Sequence, residues 1–258
     1  MTVRDALLDA VLDALAVLMP VSCASCQHPD RSLCAACTGA LLVAERRPAG
    51  LQTTGLQTAE LQTAELFHQY LTVGAAPSIE VVSALRYEGT VRRIILSFKQ
   101  NDRTDVARAL ASPLAIAVRA MVAAAGDRVE LAPVPSGRAA YRRRGYDPVL
   151  VLLRRAGFAP ARILTVVASR AQQKKLGTLE RFENVTGSMT ARTSLVGRRF
   201  VIVDDVVTTG ATISEAARAI IQAGGTVCGA ATLAFTPRLL PIRDIGRSED
   251  YRGAKGAQ

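Results

Sequence analysis

The sequence predicts an α/β fold with a mostly parallel sheet, preceded by a small cysteine-rich module. From about residue 79 onward, short apolar runs alternate with amphipathic helical patterns, as in a parallel sheet covered by helices on both faces. Near the N-terminus, two Cys-x-x-Cys pairs have the spacing of a small metal-binding module. A length of 258 residues has room for both parts, and a hydrophobic content of 49% supports a buried core.

The N-terminal segment, residues 6–18, predicts an amphipathic helix. Asp5, Asp9 and Asp13 recur every fourth residue, while the leucines and Val11 fall on the opposite face. The acids interrupt any continuous apolar region, which argues against a signal peptide. No apolar run reaches the length of about 20 residues that spans a bilayer. We therefore expect a cytoplasmic protein without membrane insertion.

The cysteine pairs come next, as Cys23 with Cys26 and Cys34 with Cys37. Four thiolates complete a tetrahedral zinc site, and such a closed site stabilises structure rather than catalysing a reaction. Disulfides are the competing interpretation, but they are uncommon in cytosolic proteins. The same spacing is also compatible with a redox-active pair or with a metal-free knot. We expect structural Zn²⁺ in a first module that covers residues 1–50.

A threefold repeat of five residues separates this module from the main domain. It occupies residues 51–65, and its period matches neither a strand nor a heptad seam. We interpret residues 51–66 as a linker without chemistry. The main domain is then expected over residues 67–240, with a flexible tail at 241–258.

The main domain is predicted to alternate strands and helices. Gly224 and Gly225 have the pattern of a helix C-cap, and Pro133 and Pro135 mark the end of a strand. Ligands of parallel sheets bind beyond the carboxyl ends of the strands, so the loops after Phe98, Pro135 and Val203 should face one site. In chain order we predict a strand at 79–85, helices at 91–98 and 104–124, a strand at 129–135, a helix at 149–156, strands at 163–168 and 200–203, a helix from 214 to about 223 and a strand at 227–235.

Residues 200–212 are the most informative segment. An apolar strand leads into Asp204 and Asp205, and a turn of small residues leads into a helix. A helix N-terminus offers unpaired N–H groups to an anion, and a glycine lets the backbone approach a phosphate closely. The two carboxylates can accept hydrogen bonds from vicinal sugar hydroxyls, which predicts a ribose 5-phosphate site. Alternatively, the aspartates cap the helix near Ser214. The turn consists of Thr208, Thr209, Gly210, Ala211 and Thr212.

This segment resembles the phosphoribosyl-diphosphate (PRPP) motif of type I phosphoribosyltransferases. The resemblance implies the type I phosphoribosyltransferase fold and Mg²⁺ bound with PRPP. It also implies that Asp204 and Asp205 hold the ribose hydroxyls while residues 208–212 wrap the 5-phosphate. In purine-type relatives an aspartate occupies the position of Thr208. A threonine cannot abstract a proton near neutral pH, which argues against purine salvage.

Several segments together resemble the ComF family of competence-associated, phosphoribosyltransferase-like proteins. They are the cysteine pairs, residues 87–99, residues 133–146 and the spaced set Gln173, Leu176, Arg181 and Asn184. The sequence departs from the family where Asp147 and Pro148 replace the usual Asn-Gln, and where Arg170 replaces a common threonine. The resemblance implies a PRPP-binding protein, with enzymatic activity and acceptor left open. The alternative is a non-enzymatic DNA-uptake factor that binds single-stranded DNA and a DNA-processing partner protein.

Lys99 and the following polar loop resemble the part of phosphoribosyltransferases that contacts diphosphate. Lys99 with Mg²⁺ would then stabilise the leaving diphosphate; a solvated loop is the alternative. Arg142, Arg143 and Arg144 with Tyr146 predict a mobile hood over the site, a surface for single-stranded nucleic acid, or a plain solvated face. The net charge of +10 suits phosphorylated ligands or nucleic acid, or reflects base composition of the genome.

Overall fold

The computed structural model describes six stretches of the chain. They are residues 21–29, 31–42, 66–71, 78–126, 128–167 and 187–237. The predicted N-terminal helix, the repeat at 51–65, the spaced set at 173–184 and the tail at 241–258 lie outside these residues. The boundaries expected for the domains therefore stay predictions.

The protein is an α/β fold with a mostly parallel central sheet, as the sequence predicts. Five strands form this sheet: β1 (Phe67–Leu71), β2 (Ile79–Arg86), β3 (Glu130–Pro133), β6 (Arg199–Val207) and β7 (Thr226–Phe235). Their order across the sheet is β1-β2-β7-β6-β3, and only β1 runs antiparallel to its neighbour. The strand expected at 163–168 is shorter than predicted and lies outside this sheet. It is β4 (Leu164–Val166), which forms an antiparallel pair with β5 (Met189–Ala191).

Six α-helices connect the strands of the described residues. A single 3₁₀ turn, Thr104–Val106, precedes the longest helix. Residues 138–144, where the sequence patterns predicted no regular element, form a short helix. The helices are α1 (Ala35–Gly39), α2 (Gly89–Gln100), α3 (Ala107–Ala125), α4 (Arg138–Arg144), α5 (Pro148–Arg155) and α6 (Ala211–Gln222).

The sheet is buried on both faces, which explains the continuous apolar run in β6. Val201 and Val203 pack with α2, α3 and α5, whereas Phe200 and Ile202 pack with α6 on the other face. Alternate residues of a strand point to opposite faces, so every residue of this run must be apolar. Removing a side chain such as that of Ile202, which is fully buried, would cost about 2–5 kcal/mol.

One helical stretch of the described residues, Thr104–Ala125, is long and apolar enough to cross a membrane by composition. Its apolar side chains lie in the core cluster with those of the sheet. Leu110, Leu114 and Val118 are fully buried. The stretch therefore has the packing of the central helix of a folded domain.

Candidate functional site

The two aspartates lie inside β6, which extends beyond its predicted end at residue 203. Asp204 is in register with Thr232 of β7, and the pairing continues to Val207. Adjacent strand residues point to opposite faces, so the two carboxylates diverge. Asp204 is 8% exposed, and the side chain of Asp205 is 14% exposed. The strand predicted from the sequence ends at residue 203. Hydrogen bonding to β7 extends it through the two aspartates to Val207.

Asp205 forms an ion pair with Lys99. The Lys99 Nζ lies 3.0 Å from Asp205 Oδ1 and 2.9 Å from Oδ2. Lys99 occupies the last turn of α2, and burial there disfavours its ammonium form. The charge and hydrogen bond of Asp205, helped by Asp204, outweigh burial and raise the pKa of Lys99. Lys99 therefore keeps its positive charge at neutral pH.

Asp204, unlike Asp205, has no ion-pair partner among the described residues, and its pKa is raised. Its Oδ1 accepts a hydrogen bond of 2.8 Å from the backbone N–H of Asp205. Burial, followed by the charge of Asp205, raises the pKa of Asp204 to about 8. Burial therefore favours the protonated form of Asp204, whereas the neighbouring Asp205 is paired with Lys99.

The small-residue turn forms the junction between β6 and α6. Gly210 is the N-cap of α6 with φ +78°, and its carbonyl accepts the Ser214 N–H at 2.8 Å. Neither aspartate forms a capping hydrogen bond to this helix, so the alternative in which the aspartates act as caps is wrong. The N-terminal N–H groups of a twelve-residue helix are an anion-binding element. The Thr209 hydroxyl already binds one of them, accepting from Ala211 N at 3.3 Å.

Gly210 also meets a steric constraint from β1. A Cβ atom placed on it would lie 2.6 Å and 2.7 Å from the two methyl carbons of Leu71, which is itself buried. A side chain at position 210 would therefore displace Leu71 and distort a backbone conformation that favours glycine. The antiparallel edge strand β1 thus packs against the turn through Leu71. The sequence patterns did not reveal this strand.

The segment after β3 lies against the end of α2. The Tyr146 hydroxyl donates a hydrogen bond to the Phe98 carbonyl, and the two rings pack with centroids 5.4 Å apart. Asp147 caps α5 by accepting from Leu150 N at 3.4 Å, and it accepts from Ser136 N at 2.9 Å. These contacts join the loops after Phe98 and Pro135, and the Lys99–Asp205 pair links the end of α2 to the segment after Val203.

The three arginines of the possible hood lie in different environments. Arg142 and Arg143 are exposed on α4, whereas Arg144 is half-buried and donates to Ser136 Oγ at 3.2 Å. No hydrogen bond joins any of the three to Asp204 or Asp205. Sequence reasoning overlooked Asp147 as a site residue. Its position before Pro148 is typical of an N-cap followed by proline at the first helical position, a signal that would have identified it.

A cavity of about 350 Å³ opens beside this segment. It lies between α4, the start of α5 and β4, at the carboxyl end of β3. Pro133 of β3 is paired with Val203, the residue before Asp204. Neither Asp204 nor Asp205 lines the cavity, but this pairing links its lining to the strand that carries them.

The four N-terminal cysteines form a candidate metal centre. Their Sγ atoms all lie within 4.8 Å of one another, and Cys26 Sγ lies 3.6 Å from Cys34 Sγ. A tetrahedron with Zn–S bonds of about 2.3 Å has S–S edges of about 3.8 Å, whereas a disulfide measures about 2.05 Å. All the cysteines are free thiols, so the disulfide alternative is wrong. The cluster can hold a zinc ion.

The pKa values of two of these thiols, Cys23 and Cys37, are shifted from the ordinary value. Burial acts to raise the pKa of Cys23, but hydrogen bonds from the backbone of Cys26, Cys34 and Ser25 lower it to about 6. Burial and the neighbouring thiols raise the pKa of Cys37 to about 12. Four thiolates this close repel one another, and a bound metal ion removes that repulsion.

The cysteine cluster packs directly on the helix that carries Lys99. Cys23 and Cys37 belong to the same buried cluster as Phe98. Arg103 donates to the Ser22 carbonyl at 2.8 Å and pairs with Asp105 at 2.8 Å. The metal module therefore supports the end of α2 and the turn that follows it.

Comparison with known proteins supports a phosphoribosyltransferase-like domain. Residues 161–241 match a family model described as the phosphoribosyl transferase domain. The matched residues include β4, β5, β6 with the acid pair, the junction to α6, and β7. No match to the chain is found among curated proteins.

Proposed function

We propose that this chain is a ComF-like protein that binds PRPP, or another ribose 5-phosphate ligand, together with Mg²⁺. The observation that carries the proposal is the acid pair of β6 followed directly by a glycine-capped helix N-terminus, within residues that match the phosphoribosyl transferase domain. This arrangement supplies carboxylates for a diol and N–H groups for a phosphate within a few residues of each other.

Each part of the ligand has a proposed partner. Asp204 and Asp205 accept hydrogen bonds from the ribose hydroxyls, and the turn from Thr208 to Thr212 binds the 5-phosphate. Lys99, held at the same edge by Asp205, contributes positive charge toward the diphosphate. Carboxylate oxygens of the acid pair and oxygens of PRPP would hold Mg²⁺, which neutralises charge on the diphosphate.

Transfer of the phosphoribosyl group is the reaction that this site would support. The bond between C1 of the ribose and the diphosphate oxygen breaks, and the diphosphate leaves with the electron pair. A nucleophilic atom of the acceptor forms the new bond to C1 and loses its proton to solvent. Thr208 cannot take that proton, so we propose an acceptor that needs little activation.

Calorimetric titration with PRPP, with and without Mg²⁺, tests the binding. We expect saturable, Mg²⁺-dependent binding that weakens at least tenfold when Asp204 and Asp205 are both replaced by Asn. Glu80→Gln is the matched control, because Glu80 contacts exposed His68 at the other end of the sheet. Unchanged affinity in the double variant would refute the proposal. Diphosphate release against a panel of acceptors then tests catalysis.

A non-enzymatic factor for DNA uptake is the second candidate. The exposed face of α4 favours it, since Arg138, Arg142 and Arg143 are exposed there and Tyr141 is 49% exposed. Guanidinium groups bind phosphates and a tyrosine ring stacks on bases. Binding to a single-stranded oligonucleotide should then fall steeply with salt and be indifferent to the Asn substitutions in β6. Such a factor would also require a DNA-processing partner protein.

A further inference from the structure

The cavity between α4 and β4 combines an apolar floor with a basic rim. Its volume of about 350 Å³ lies in the range of small-molecule sites. Val134, Leu150 and Leu164 line it and are each less than a tenth exposed. A bare, hydrated diphosphate gains nothing from such a floor, whereas the body of an apolar ring is stabilised there. The lining therefore selects a ligand with a flat apolar part.

The rim carries four arginines that approach from two sides. Arg138 and Arg142 come from α4, and Arg162 and Arg192 come from the segments beside β4 and β5. All four are exposed, and no carboxylate among the described residues forms an ion pair with them. Guanidinium groups match the geometry of carboxylate and phosphate groups.

Other arginines of the fold form ion pairs with carboxylates. Arg198 makes a two-bond contact with Glu130, at 2.8 Å and 2.7 Å. Arg218 makes a similar contact with Glu215, at 2.7 Å through each of two nitrogens. These pairs stabilise the scaffold, whereas the charges around the cavity are left available for a ligand.

The single acid that lines the cavity forms no ion pair with this rim among the described residues. Both oxygens of Asp147 already accept backbone N–H groups, from Ser136 and Leu150. Tyr141 also lines the cavity and is half exposed, so its ring is available for stacking. A planar ring that bears an anionic group would pack on the apolar residues, stack on Tyr141 and pair with the arginines.

The position of the cavity relates it to the proposed ribose site. The Val134 N–H donates to the Val203 carbonyl at 2.9 Å, so the lining of the cavity is hydrogen-bonded to the residue before Asp204. We infer that this cavity binds the acceptor and that the acceptor is an aromatic ring carrying a carboxylate or phosphate group. The acceptor role rests on the proposed function; the binding preference rests on the cavity alone.

Paired probes test the preference on the full-length protein. Benzoate is compared with benzamide, nicotinate with nicotinamide, orotate with uracil, and phenyl phosphate with phenol, each by calorimetry with and without PRPP and Mg²⁺. We expect at least one acid to bind about tenfold or more tightly than its neutral partner, as a charge-assisted contact implies. The carboxylate and phosphate arms identify which anion is preferred.

Two variants test the site itself. Arg162→Gln with Arg192→Gln should weaken the preferred acid about tenfold or more and leave its neutral partner unchanged. Arg154→Gln is the matched control, because Arg154 is exposed on α5 and does not line the cavity. Circular dichroism of each variant verifies that the fold is retained.

Several results would overturn the inference. They are equal binding of every acid and its neutral partner, wild-type affinity in the double arginine variant, or equally tight binding of inorganic phosphate alone. Displacement of the acids by a single-stranded oligonucleotide, weakened by the same substitutions, would assign the cavity to nucleic acid instead. Failure of PRPP to bind the unaltered protein is a separate result, which refutes the proposed function and with it the acceptor role.

Discussion

Lys99 Nζ lies 2.9 Å from Asp205 Oδ2 and joins the end of a helix to a strand residue 106 positions later in the chain. The contact is partly buried on both sides, with the side chains 28% and 14% exposed. It pairs one of two adjacent aspartates with a cation, and the charge of Lys99 also acts against the raised pKa of Asp204. The electrostatics of the acid pair therefore depend on Lys99.

Replacing Lys99 with Met should destabilise the protein, because Asp205 would keep a partly buried charge without its partner. We expect the free energy of unfolding to fall by about 1–3 kcal/mol, below the cost for a fully buried pair because solvent screens this one. Urea denaturation measures the change. Lys99→Arg is the control, since it keeps the charge and should retain most of the stability. Equal stability of the Met variant and the wild type would contradict this role.

The raised pKa of Asp204 predicts a pH dependence of stability. The unfolded chain releases this proton near pH 4, at the ordinary value of 3.8, whereas the folded protein holds it until about pH 8. The folded state binds more protons in that window, so this group makes stability fall as pH rises from about 4 to about 8. Denaturation curves across this range should show the slope, and Asp204→Asn should reduce it. An identical slope in the variant would exclude Asp204 as its source.

Gly210→Ala should damage the turn before α6 for two reasons. The backbone has φ +78°, and the new methyl group would collide with Leu71. We expect a loss of about 1–3 kcal/mol in unfolding free energy and weaker PRPP binding. Leu71→Ala removes the collision but not the backbone strain. In a double-mutant cycle, the losses of unfolding free energy in the two single variants should sum to more than the loss in the double variant. Strict additivity would show that the contact between position 210 and Leu71 is unimportant.

Purified protein should contain about one equivalent of zinc under reducing conditions. Because thiolates bound to zinc belong to the buried cluster with Phe98, a chelator should lower the melting temperature. Elemental analysis and thermal denaturation measure the two effects. Cys26→Ser with Cys34→Ser should reproduce the chelated state, while Cys228→Ser, outside the cluster, should not. Protein free of zinc and unaffected by chelator would identify a metal-free knot.

Asp147→Ala should destabilise the segment beside the cavity. It removes the N-cap of α5 and leaves the Ser136 N–H without its acceptor. Loss of a cap costs about 1 kcal/mol, and the partly buried Ser136 donor adds up to about 1 kcal/mol when it is left unsatisfied. Asp147→Asn, which keeps one acceptor oxygen, should lose less. Unfolding free energies from urea titration compare the three proteins, and equal values would show that neither contact matters.

The sequence predicts the parts of the fold that depend on local pattern. The apolar run before Asp204 is a strand because both faces are buried, and Gly224 with Gly225 follows the end of α6, as the C-cap pattern indicates. Apolar periodicity likewise predicts α3 and β7 close to their observed bounds. These features require only information carried by neighbouring residues.

Features that depend on distant partners could not be predicted. The extension of β6 through two aspartates depends on its register with β7, and β1 has an alternating pattern of only five residues. The pairing of β4 with β5 involves three residues on each side. The sequence predicts that the loops after Phe98 and Val203 face one site, but it does not reveal the direct ion pair of Lys99 with Asp205.

Arg103 holds the cysteine module through main-chain oxygens, those of Ser22 and Ser32, at 2.8 Å and 3.4 Å. A carbonyl is present whatever side chain stands at a position, so residues 22 and 32 are free to diverge in evolution without breaking this contact. Arg103 has no such freedom, because only its own side chain makes the link. For this contact, variation among relatives should therefore be greater at residue 22 than at Arg103, whereas Ser32 also has a side-chain hydrogen bond to Asp105.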